Sequence, residues 1–117
     1  MTLKELSQLY YLNREIEMDK KRLYQLEMSL FDTPRSDILV NELREVISEK
    51  NKQCLNERIK LERYIADVPD SMLRQIFTYR FINGLSWVQV AMHVGGGNTE
   101  DSVRKMCCRY IRKTKTI

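Results

Sequence analysis

Apolar residues recur every seven positions through the front of the chain. Leu9, Ile16, Leu23 and Leu30 form one row, and Leu12 and Leu26 belong to a second row that Asp19 interrupts. Further on, Val40, Ile47, Cys54 and Leu61 form an equivalent row. Its companion begins at Leu43 and ends at Tyr64 but holds Lys50 and Glu57 in its middle. Seven residues are close to two helical turns, so each row is a stripe on one face of an α-helix. The first helix is predicted from Thr2, which has capping-box spacing to Glu5, to about Phe31. Phe31-Asp32-Thr33-Pro34-Arg35 stops it, because proline cannot continue a helix and disfavours one at the residue before it. A second helix is predicted from about Ser36 or Asp37 to about Asp67. Two long helices with a short proline-containing connection predict an antiparallel helical hairpin, a coiled-coil arm. A lone hairpin buries one narrow seam. Leu9, Ile16, Leu23, Val40, Ile47 and Leu61 are therefore predicted to be oligomerisation residues, with a homodimer the simplest assembly.

After Pro69 the pattern shortens. Asp70 and Ser71 can cap a helix carrying Met72, Leu73, Ile76, Phe77, Phe81 and Ile82, which Gly84 ends. Ser86 and Gln89 repeat the capping-box spacing, and Trp87, Val90, Ala91 and Val94 follow at helical intervals. Gly95-Gly96-Gly97 closes that helix. Asn98 or Thr99 can cap a last one, with Val103, Met106, Cys107, Tyr110 and Ile111 on its apolar stripe. No stretch has the alternation of a strand or a hairpin dipeptide. The prediction is an all-α chain in two domains: a helical arm over 1–67 and a three-helix domain over 68–117.

Charge follows the same division. Residues 1–67 hold 12 Lys and Arg against 13 Asp and Glu, whereas residues 68–117 hold 8 against 3. No acid follows Asp101, while Arg104, Lys105, Arg109, Arg112, Lys113 and Lys115 do. A basic helix face of this kind attracts a polyanion. Three cysteines with no Cys-x-x-Cys spacing, and one histidine, argue against a disulfide framework or a metal site. Reduced thiols in a cytoplasm are expected. No apolar run reaches membrane-spanning length, and Met1-Thr2-Leu3-Lys4-Glu5-Leu6 has no apolar signal core.

Two short helices joined at a glycine, the second basic on its free face, have the layout of a helix-turn-helix. Ala91 is small where the second helix would cross, and Gly95 permits the left-handed backbone of the turn. The free side of the second helix carries residue types that reach phosphates and base edges. Candidate DNA contacts are Asn98, Thr99, Ser102, Arg104, Lys105, Cys108, Arg109, Arg112 and Lys113. Arg104 and Lys105 lie in the first turns, which enter the groove deepest, and Arg112 and Lys113 are placed for phosphates.

Phe77-Thr78-Tyr79-Arg80-Phe81-Ile82-Asn83-Gly84-Leu85-Ser86-Trp87-Val88-Gln89-Val90-Ala91 resembles region four of bacterial sigma factors. That family places an aromatic or leucine with arginine before a glycine-bounded turn, then Ser or Thr, an aromatic, and Ile or Val followed by Ala. Val103 matches the buried aliphatic of its recognition helix. The resemblance runs from Pro69 to Lys113, and the stretch from Gly95 to Val103 is a residue or two longer than the family's. Together with the arm, the layout resembles small sigma-like regulators of phages and prophages. The resemblance implies a transcriptional regulator that docks its last helix in the major groove of double-stranded DNA. It also implies a possible contact with RNA polymerase, no catalysis and no cofactor. Two rival functions fit the same layout: a phage DNA-packaging small subunit, and an RNA polymerase-binding protein that does not bind DNA. Gly95-Gly96-Gly97 follows no strand and lacks the lysine-serine sequel of a nucleotide loop, so no enzyme is expected.

Overall fold

A computed structural model of the protein describes residues 1–28 and 34–114. The described residues form helices joined by short turns, with no strand among them. In chain order the elements are α1 (Leu3–Leu6), α2 (Gln8–Glu27), α3 (Pro34–Ala66), α4 (Ser71–Phe77), a wide turn of π-helix (Thr78–Ile82), α5 (Trp87–Val94) and α6 (Glu100–Thr114).

The helix starts follow the polar residues that precede them. Thr2 Oγ1 accepts from the Glu5 N–H at 3.2 Å, and Glu5 Oε1 accepts in return from the Thr2 N–H at 3.4 Å. Ser86 and Gln89 make the same reciprocal pair at 3.2 and 2.9 Å. Asp70 caps α4 through the Met72 N–H at 3.1 Å. Each satisfies helix N–H groups that have no carbonyl partner within the helix. Pro34 takes the first position of α3, where its missing N–H costs nothing, so α3 starts two or three residues earlier than the pattern predicted.

Two predicted helices are interrupted. The first breaks at Ser7, whose hydroxyl donates to the Leu3 carbonyl at 2.8 Å while its N–H donates to the same oxygen at 3.1 Å. Such a short-range bond competes with the regular ladder. The predicted end near Phe31, and Leu30, lie outside the described residues. The second interruption follows Phe77, where the Asn83 N–H reaches the Thr78 carbonyl at 3.0 Å and widens the turn. The Thr78 hydroxyl donates to the Arg74 carbonyl at 2.8 Å, and the Arg80 guanidinium donates to the Leu85 carbonyl at 3.0 Å. Both ends of the widened turn thereby gain partners.

The chain separates into two compact units, residues 11–56 and residues 1–10 with 57–117. This differs from the division at 67/68 because both ends of the predicted arm belong to the C-terminal core. Leu6, Leu9, Leu61, Ile65 and Val68 are buried there. Tyr64 packs edge-on against Phe77 at 5.7 Å and Tyr110 at 6.3 Å. Phe77 is fully buried and also meets Phe81 at 5.6 Å and Tyr110 at 5.7 Å. Aromatic rings of this size dominate the energetics of a small core.

The 11–56 unit is an antiparallel pair made by α2 and the front of α3. Cys54 lies against Asn13 at 3.6 Å, Lys50 against Asp19 at 2.5 Å and Arg44 against Glu27 at 2.6 Å, so the partners descend on one helix as they rise on the other. Ile16, Leu43 and Ile47 form its core, flanked by Leu23, Leu26 and Cys54. Asp19, which interrupts one apolar row, is itself buried, and its partner Lys50 interrupts the other. Arg22 bonds the second oxygen of Asp19 at 2.8 Å, and Glu15 approaches Lys50 at 3.3 Å. The hydrogen bond to Asp19 raises the Lys50 ammonium's pKa above its ordinary value. Partial burial opposes this, and Glu15 adds to it.

This packing changes the role of the predicted oligomerisation residues. Leu9, Ile16, Ile47 and Leu61 are buried within one chain, and Leu23 and Val40 are half-buried. Leu9, Ile16, Ile47 and Leu61 are therefore not free to meet a second copy.

Candidate nucleic-acid interface

The turn between α5 and α6 rests on three consecutive glycines. Gly95, Gly96 and Gly97 have φ of +68°, +64° and +77°, in a region where side chains with a Cβ are strained. The Asn98 side chain holds the turn. Its Nδ2 donates to the Gly95 carbonyl at 2.8 Å, and its Oδ1 accepts from the Ser102 hydroxyl at 3.3 Å. Thr99 then caps α6: its Oγ1 accepts from the Ser102 N–H at 3.2 Å, and Ser102 Oγ accepts from the Thr99 N–H at 2.9 Å. This is the capping-box exchange with serine in the third position. Asn98, Thr99 and Ser102, expected to touch DNA, are thus engaged in building the helix start.

Val103, Cys107 and Ile111 are the buried side of α6, and α6 packs on α4 and α5. Burial pushes the Cys107 thiol up to about 12, so it stays protonated and is no nucleophile at neutral pH. Cys108 is half-buried. At 100° per residue, Lys105, Arg109 and Arg112 fall opposite the buried stripe. All three are exposed, and none has a carboxylate within ion-pair distance among the described residues. Lys113 is exposed on the same last turns and has an interaction of its own. Lys115 lies outside the described residues.

Arg104 differs from its neighbours. Its guanidinium pairs with Asp101 at 2.7 Å across one turn, both side chains being more than half exposed. An exposed pair of this kind contributes little to stability, but it holds Arg104 and sets a carboxylate in the first turn of the basic face. The Asp-x-x-Arg spacing carries this signal in the sequence. Two other cations of the unit are structural. Arg74 donates to the Val68 carbonyl at 2.7 Å, and Arg80 lies 4.6 Å from the Trp87 ring centre besides bonding Leu85. Trp87 also meets Phe81 edge-on at 6.5 Å, and His93 stacks on Tyr79 at 5.1 Å. No sequence spacing announces these contacts, because each joins different elements or lies across the widened turn.

Among the described residues there is no group of three His, Cys, Asp or Glu side chains that could hold a metal ion. None of their helices is long and apolar enough to cross a membrane. No family model, no curated protein and no solved structure matches this chain.

Proposed function

We propose that this protein is a sequence-specific DNA-binding regulator of transcription, of the phage or prophage type, in which α5 and α6 act as a helix-turn-helix. In this reading α6 docks in the major groove of double-stranded DNA. The observation that carries it is the outer face of α6, where Lys105, Arg109 and Arg112 are exposed and have no carboxylate partner among the described residues. Elsewhere many exposed cations sit beside acids one turn away, as Lys20 does with Glu17, Lys52 with Glu49 and Lys60 with Glu57. Cations without such partners are free to replace counterions on phosphate.

The roles within the face follow from the geometry. Lys105 stands in the early turns and is the cation nearest the helix start that is free to enter the groove. Arg109 and Arg112 follow at helical spacing and meet phosphates. Arg104 can read a base only by leaving Asp101. Asn98, Thr99 and Ser102 act indirectly, by fixing the start and direction of α6.

Fluorescence anisotropy tests this with a random duplex and with duplex from upstream of the protein's own coding region, across a salt series. Binding is expected to both, tighter to the second, with affinity falling steeply as salt rises. Lys105→Ala is expected to cost about 1–3 kcal/mol if it reads a base, and to relax specificity at one position. No binding to either duplex at low salt contradicts the reading. If RNA polymerase is then retained in a pull-down, an interaction protein without DNA binding replaces it.

A further inference from the structure

We propose that a groove on the 11–56 helix pair is the docking site for a second copy of this chain, related by a two-fold axis. The groove has a volume of about 480 Å³ and is floored by Leu26, Leu39, Leu43 and Val46, with Arg22 and Glu42 also lining it. Leu43 belongs to the unit's core and Leu26 packs against that core, so side chains placed in the groove would extend the existing core. Leu39 and Val46, by contrast, are 48% and 42% exposed.

Three features commit the groove to a copy of the chain. Among its described residues the unit's buried apolar core is Ile16, Leu43 and Ile47, and helices of this kind draw most of their stability from tertiary packing. Leu39, Leu43 and Val46 recur at four- and three-residue intervals, the spacing of a helix face that receives another helix. The charges are self-complementary. Arg22 stands on α2 and Glu42 on α3, so a two-fold axis lying in the face between them exchanges the two. Each copy's Arg22 then meets the other copy's Glu42, as an isologous interface requires. Ile16 and Ile47 of the rows are buried within the chain, and the paired surface is the stripe of Leu39 and Val46, with Leu26 and Leu43 of the rows as its floor. Dimerisation through this stripe does not depend on DNA binding.

Sedimentation equilibrium of the full chain at micromolar concentration is the test. A dimer is expected. Leu39→Asp and Val46→Asp, at side chains exposed enough to accept a carboxylate in the folded chain, are each expected to raise the dissociation constant by about tenfold or more. Helical circular dichroism should be unchanged. Arg22→Glu and Glu42→Lys should each weaken the homodimer. Mixing the two variant chains should restore association, because each contact then joins opposite charges. Arg22→Glu also removes the contact with Asp19, in both chains of its homodimer but in only one chain of the mixed dimer, so the restoration is read against the Glu42→Lys homodimer, whose chains keep that contact. A monomeric wild type overturns the proposal and leaves the groove to a helix of another protein. A dimer indifferent to Leu39→Asp and Val46→Asp, or charge variants whose mixture is no tighter than either alone, overturns it as well.

Discussion

The two compact units are made of the same helical material and are held together in opposite ways. The unit of residues 1–10 and 57–117 closes around Phe77, with Tyr64, Phe81 and Tyr110 packed on that ring. The described residues of 11–56 have three buried apolar side chains and a buried carboxylate, Asp19, tied to Lys50 and Arg22. In the first unit stability comes from area removed from water and each ring matters. In the second, alignment comes from a charge pair that tolerates only one register, since sliding either helix by a residue would strand Asp19 away from its cation. Seven-residue spacing specifies which faces meet; it does not specify how much they bury.

Phe77→Ala should have the largest effect, about 3–5 kcal/mol, because it opens a cavity where three other rings converge. Urea unfolding followed by circular dichroism measures it. A loss below about 1 kcal/mol would show that the ring cluster does not hold that unit. Lys50→Met should cost about 1–3 kcal/mol by removing one of the cations of a buried carboxylate. Asp19→Leu with Lys50→Leu should be neutral or stabilising, as replacing both members of a buried pair often is. If the double variant is instead as unstable as Lys50→Met, the ion pair supplies stability itself rather than alignment, and the contrast between the units weakens.

Much of this fold is legible in the residues. Among the described residues, the apolar rows, both predicted capping boxes and the glycine turn stand where their spacing places them. What escapes is whatever depends on pairing between elements. Asp19 and Lys50 read as two separate flaws in two rows, and only the antiparallel register makes them partners. Leu9 and Leu61 read as seam residues of an arm, yet the aromatic core draws that end of the arm to itself. Ser7 and Thr78 look ordinary within their helices, because a hydroxyl bonding back to a carbonyl leaves no periodic trace. In the basic face, Lys105, Arg109 and Arg112 were readable as exposed cations, while the engagement of Asn98 with Gly95 and Ser102 required the turn's geometry.

Alkaline pH sharpens the contrast from the other side. An unfolded Cys107 thiol loses its proton around 9.0, whereas the folded one holds it to about 12. The unfolded state therefore binds fewer protons in that window, and stability falls as pH rises through it. At pH 10 the loss from this group is about 1 kcal/mol, and below about pH 8 it vanishes. Burial raises the Tyr64 phenol as well, which adds in the same direction. Urea midpoints at pH 7 and pH 10 should differ less in Cys107→Ala than in wild type; equal differences would mean that the thiol is not sealed in this core. The smallest expected effect is on binding. Asp101→Asn removes a carboxylate from the proposed docking face and frees Arg104, and should tighten duplex binding by about 0.5–1 kcal/mol. Weaker binding would mean that Asp101 is needed to orient Arg104.

The central claim is that the cations of α6, and not those of the 11–56 unit and α3, meet DNA. The slope of log affinity against log salt tests it most directly. Replacing Lys105, Arg109 and Arg112 together by alanine should make the slope shallower by about 2–3, one counterion release per lost phosphate contact. Replacing Lys20, Lys52 and Lys60, which sit beside acids on α2 and α3, should leave it unchanged. An unchanged slope in the first variant, or an equal loss in both, would contradict the account.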